Sequence, residues 1–77
     1  MTSAVVLVNT DVDSQDKVKE SIKLIEGVEE AHALYGVYDL LVKIKAVSAE
    51  NLKEIIKFRI KQLAGVTSSL TLMIIDH

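Results

Sequence analysis

The stretch Tyr35-Gly36-Val37-Tyr38-Asp39-Leu40-Leu41-Val42-Lys43-Ile44 decides the fold. Gly36 and Val37 stand between two segments that each read as a strand, residues 28–35 and 38–46, and predict a tight hairpin. In the second of these, Leu40, Val42 and Ile44 alternate with Leu41, Lys43 and Lys45. That period of two marks a strand with one face buried.

Helical periodicity flanks the hairpin on both sides. Upstream, Val18, Ile22 and Ile25 recur at i, i+4 and i+7, with Asp13 as the expected N-cap and Gly27 as the expected left-handed terminator. Downstream, Leu52, Ile55, Ile56, Ile60 and Leu63 form an apolar stripe that opens at Ser48 and closes at Gly65. Valine-rich residues 4–10 and residues 66–76 supply two outer strands. The order is βαββαβ. Residues 27–34 and 65–72 echo each other, each beginning Gly-Val after a helix. Two such βαβ units imply an α+β, ferredoxin-like fold: a four-stranded antiparallel sheet with two helices on one face.

Composition limits what this fold can do. A chain of 77 residues forms one domain, residues 1–77. It buries only ~60% of its unfolded surface, yet 49% of its residues are hydrophobic. With no cysteine, disulfides, thiolate zinc sites and thiol nucleophiles are excluded. His32 and His77 are the only imidazoles, so neither a metal nor another cofactor is expected. Self-association is the remaining support for so small a core. The longest apolar run, Ala4 to Val8, falls far short of the ~20 residues of a membrane span. No signal-peptide pattern is present, and a cytoplasmic location is the expectation.

The sheet face away from the helices is expected to carry the surplus apolar surface. The first strand is apolar at both parities, Val5 and Leu7 against Val6 and Val8. In the last strand Leu70, Leu72 and Ile74 are the better candidates for the helix side, leaving Ser69, Thr71, Met73 and Ile75 on the other. Val6, Val8, Leu41, Met73 and Ile75 are therefore the expected homodimer interface, burying on the order of 800 Å² per partner. At ~25 cal/mol per Å² of apolar area that rivals the stability of the domain itself.

Catalytic chemistry is not legible, and the chain is not expected to be an enzyme. No serine is placed beside His32, and Glu29 and Glu30 alternate across a strand. Three dispersed glycines make no phosphate loop. Lys53, Lys57 and Lys61 read as a solvated helix face. Phe58 points away from the stripe, whereas Arg59 falls within it and is expected to snorkel. The RNA-recognition fold shares the βαββαβ order but stacks bases on aromatic rings. Residues 4–10 hold none, and the net charge of −2 disfavours phosphate binding.

At the hairpin the sequence resembles the effector-binding domain of the Lrp/AsnC regulators, whose pattern there is Thr-Gly-x-Tyr-Asp followed by alternating apolar residues. Gly65-Val66-Thr67-Ser68-Ser69-Leu70-Thr71-Leu72 is similar to that family's segment before the last strand. Tyr35 stands where the pattern has threonine, and Val37 where it is usually polar. The resemblance implies a stand-alone effector (RAM) domain without a DNA-binding half, dimerising into an α/β barrel. Dimers would assemble further, into octamers or decamers. An amino acid or related small metabolite would bind between dimers at Gly36, Val37, Tyr38 and Asp39, with Ser69 and Thr71. Asp39 suits an ammonium group; the hydroxyls and the backbone near Gly36 suit a carboxylate. Full-length regulators of the family are implied as further partners. Other readings are a small dimeric α/β-barrel enzyme using His32 or Arg59, a structural hetero-oligomerisation partner, and an ACT-type amino-acid domain.

Overall fold

A computed structural model of the chain describes residues 2–74. Its elements are β1 (Thr2–Thr10), α1 (Gln15–Lys23), β2 (Val28–Ala33), β3 (Leu40–Ala46), α2 (Ala49–Ile55) and β4 (Val66–Ile74). A π-helical turn, Ile56–Ile60, continues α2. The strands form one antiparallel sheet in the order β2-β3-β1-β4. The fold is ferredoxin-like, as the spacing predicts. Among the described residues no helix is long and apolar enough to cross a membrane.

The core lies between the sheet and the helices. Ala4, Val6 and Val8 of β1, Leu40, Val42 and Ile44 of β3 and Ala31 of β2 point into it. Val18 and Ile22 of α1 meet them over β2 and β3, and Leu52, Ile56 and Ile60 meet them over β1 and β3. The helical stripes are those the periodicity predicts. Ser48 caps α2 by accepting the Asn51 N–H on Oγ at 3.1 Å. Helix α1 starts one residue later than expected. Ser14, not Asp13, is its N-cap, and it makes no side-chain capping bond.

The parities of β1 and β4 reverse the expectation. Register pairs Val6 with Val42 on one side and with Thr71 on the other, so all three share the helix-side face. Val6 and Val8 are fully buried in the monomer core, and Met73 packs against that core. None of the three lies on the far face; of the expected interface, Leu41 does. Ile75 lies outside the described residues. Leu70, Leu72 and Ile74, expected beneath the helices, are exposed on the far face instead. The physical reason is position: β4 is an edge strand and the helices lie over β1, β2 and β3. Hydrophobicity therefore misleads at β4, because its helix-side row lies at the margin of the helical layer, only half-buried, and its parity is set by pairing with β1.

Candidate functional site

The connection between β2 and β3 is wider than a tight hairpin. Residues 34–39 form the loop, closed by the Leu34 N–H donating to the Asp39 carbonyl at 2.8 Å. A two-residue turn matched to strand twist needs positive φ at its first central position, and the type I′ form at both. Gly36 supplies it (φ 143°), but among the described residues no residue other than glycine has positive φ. Val37, β-branched, takes an exposed place in a longer loop.

Three tethers hold that loop against the sheet. Asp39 accepts the Thr10 N–H on Oδ2 at 2.8 Å, and its own N–H donates to the Val8 carbonyl at 3.0 Å. Gln15, the first residue of α1, donates from Nε2 to the Asp39 carbonyl at 2.8 Å. Gln15, Leu34, Tyr35, Gly36 and Asp39 line an open cleft of about 340 Å³. The Tyr35 side chain is fully exposed, Tyr38 is half-buried, and nothing lies within 4 Å of the position a Cβ on Gly36 would take. A backbone left this open lets a ligand approach closely. Beside the cleft, Thr10 Oγ1 is buried with no hydrogen-bond partner among the described residues.

The six residues assigned to a ligand do not converge within one copy. Gly36 and Asp39 line the loop cleft. Ser69 and Thr71 face the helix side of β4, opposite Val8 and Val6. Ser69 lines a groove with Lys61, and Thr71 one with Lys53, Lys57 and Met73. The expectation that Asp39, Ser69 and Thr71 share a face fails because β4 has the opposite parity to the one assumed. Gln15 is the cleft residue that sequence reading missed. A polar residue in a first helical turn carries no signal that separates a tether from a solvated side chain.

Elsewhere, His32 lies on the far face, its Nε2 3.3 Å from Glu30 Oε1 and both exposed. It is therefore not in a cleft between helices and sheet. Phe58 is exposed, with the Lys57 Nζ 5.4 Å from its ring centre.

The model of the Lrp/AsnC ligand-binding domain matches residues 3–77. The chain belongs to that family. An uncharacterized HTH-type transcriptional regulator of Pyrococcus abyssi is 36% identical over 78 residues, spanning 97% of this chain and 52% of the regulator. This Lrp/AsnC domain thus spans about half the length of the curated regulators it matches. A homocitrate synthase of Sulfolobus acidocaldarius is 43% identical over 58 residues, which are 75% of this chain and 12% of that enzyme. Among solved structures, a protein of Thermus thermophilus superposes with a TM-score of 0.94 at 26% identity, covering 100% of this chain and 96% of that one. A transcriptional regulator of Neisseria meningitidis, solved with L-Met, superposes at 0.86 over 97% of this chain and 50% of its own, with 16% identity. At that identity the likeness is one of fold.

Proposed function

We propose that this Lrp/AsnC domain is a non-catalytic module that senses a small molecule, an amino acid or related metabolite, and transmits binding through self-assembly. The observation that carries the reading is the uncovered sheet face. Val5, Leu7, Leu41, Leu70, Leu72 and Ile74 form a contiguous apolar band on it. Charges keep to the β2 side, where Glu30 stands opposite Lys43 and Glu29 pairs with Lys45 at 3.5 Å. A band of this kind suits a sheet-to-sheet homodimer.

The loop cleft is the proposed effector site. It offers the free Asp39 oxygen for an ammonium group, Gly36 backbone for a carboxylate, and the open wall of Tyr35. Gly36 and Asp39 line one cleft, and Ser69 and Thr71 line others on the helix side of β4. A ligand held between copies is one way to engage both sets. The L-Met bound by the Neisseria meningitidis regulator supports the ligand class. Such a ligand biases assembly by its preference for one state, typically ~1–3 kcal/mol.

Light scattering and calorimetry with each of the twenty amino acids test this reading. Heat of binding together with a change in assembly mass is the expected result. No heat with any of them, and an unchanged mass, overturns it.

The output of the module follows one of two routes. Similarity to HTH-type regulators supports a DNA-binding partner of the same family. Similarity to a homocitrate synthase supports action on a metabolic enzyme instead. Co-purification from the native host separates the two.

A further inference from the structure

A groove of about 600 Å³ runs along the helix side of β4, between that strand and the second helical segment. Lys53, Lys57 and Lys61 stand on its helical wall, Thr71 and Met73 on its strand wall, and the buried Ile56 between them. Lys61 also borders a smaller groove that reaches Ser69. No acidic residue lines either groove, although Glu50 and Glu54 belong to the same helix as Lys53. Among the described residues none of the three lysines is in an ion pair. Lys57 meets only the Phe58 ring, with Nζ 5.4 Å from its centre, and that contact supplies no counter-charge.

The π-helical turn keeps the three lysines in line. On a regular α-helix each residue advances by ~100°, so residues four apart drift by about 40° and Lys53 and Lys61 would diverge by about 80°. The turn from Ile56 to Ile60 is wider, with the Lys61 N–H donating to the Ile56 carbonyl at 3.0 Å, an i→i+5 bond. Each residue there advances by less than ~100°, which offsets the drift. All three ammonium-bearing side chains therefore line one groove. In the sequence they read as a solvated helix face; the helix side of β4 is what gives that face a second wall.

We propose that this groove docks an extended acidic segment of a partner protein, with carboxylates on alternate residues and small apolar side chains between them. The spacing matches: lysines four apart on the helix lie about 6 Å apart along its axis, and alternate side chains of a strand lie about 6.6 Å apart. Lys53 to Lys61 spans about 12 Å, more than one small carboxylate can bridge. Spread over that length, the groove has a cross-section of about 50 Å², too narrow for a helix of about 10 Å diameter. Carboxylates of one parity meet the lysines, while the other parity meets Thr71 and Met73. A nucleic acid is disfavoured by the net charge of −2 and by a groove without an aromatic ring to stack bases. The docking site goes beyond the proposed function. It shares only Thr71 with the residues assigned to an effector, and a dimer through the far face leaves it open.

NMR titration of the isotope-labelled full chain with an end-blocked peptide of about nine residues, aspartate alternating with valine, tests the proposal. Saturable amide shifts at Lys57, Lys61, Thr71 and Met73 are expected, and binding weakens as salt rises from ~0.05 to ~0.5 M. Replacing every aspartate of the peptide by asparagine raises Kd about tenfold or more, and so does the double variant Lys57→Gln, Lys61→Gln. The proposal is overturned if those amides do not shift, or if the asparagine peptide binds like the aspartate one. It is equally overturned if the folded double variant, its spectrum otherwise unchanged, binds like the parent. A single-stranded oligonucleotide, or citrate, that saturates the same amides more tightly than the peptide overturns it in favour of a nucleic acid or a small anion. Shifts at Gly36 and Asp39 with amino acids report the loop cleft separately, so failure of one reading leaves the other standing.

Discussion

The Asp39 carboxylate accepts the Thr10 backbone N–H through Oδ2 at 2.8 Å, binding the β2–β3 loop to the end of β1. One oxygen of the residue expected to hold a ligand thus already serves the fold. Structural and binding roles can be pulled apart. Asp39→Ala leaves the Thr10 N–H without its partner and is expected to cost ~1–3 kcal/mol. Asp39→Asn keeps an acceptor oxygen and costs less, while removing the charge an ammonium group needs. Urea unfolding measures the first difference, and calorimetry of the Asn variant with amino acids measures the second.

Val6 and Leu72 are both apolar strand residues, and they separate folding from assembly. Val6 is fully buried in the monomer, whereas Leu72 is 49% exposed on the far face. Val6→Asp places an unpaired charge in the core and is expected to unfold the chain. Leu72→Asp is expected to keep the native circular dichroism spectrum and to reduce the light-scattering mass to that of a monomer. A dimer that survives Leu72→Asp contradicts the sheet-to-sheet interface.

Gly27 turns the chain from α1 into β2 at a φ of 98°, against the Lys45 carbonyl. Alanine there combines backbone strain with a steric clash, and a loss of ~1–3 kcal/mol is expected. A loss of 1 kcal/mol lowers the Tm of a domain this size by about 4–8 °C. Differential scanning calorimetry reads the shift directly.

Ser48 and Ile60 mark the two ends of the second helical segment, and their contributions differ in kind. Ser48→Ala removes the capping bond to the Asn51 N–H and is expected to cost ~1 kcal/mol. Ile60→Ala leaves a cavity under the sheet and is expected to cost ~2–5 kcal/mol. In a small domain of marginal stability the second loss suffices to unfold a large fraction of the chain. Denaturant titration of the two variants checks both magnitudes.

Much of this molecule is legible in its residues. The spacing of Val18, Ile22 and Ile25, and of Leu52, Ile56 and Ile60, marks the helices because a helix repeats every ~3.6 residues whatever surrounds it. The alternation of Leu40, Val42 and Ile44 marks the central strand for the same local reason. The hairpin and the segment from Gly65 carry a resemblance specific enough to indicate the family. The candidate site was legible only in part. Gly36 and Asp39 line the loop cleft, but Gln15 was missed, and the face of Ser69 and Thr71 was misjudged.

The sequence by itself therefore determined the element order and the helical core stripes, since each follows from local periodicity. Only the tertiary structure decided which face of β1 and β4 is inside. Both strands were open to two readings, and a strand's inward face is set by its pairing register and by what lies above it. The same holds for Arg59. Its place in the stripe predicts burial or snorkelling, but across the π-helical turn Ile56 and Ile60 stay buried while Arg59 is exposed.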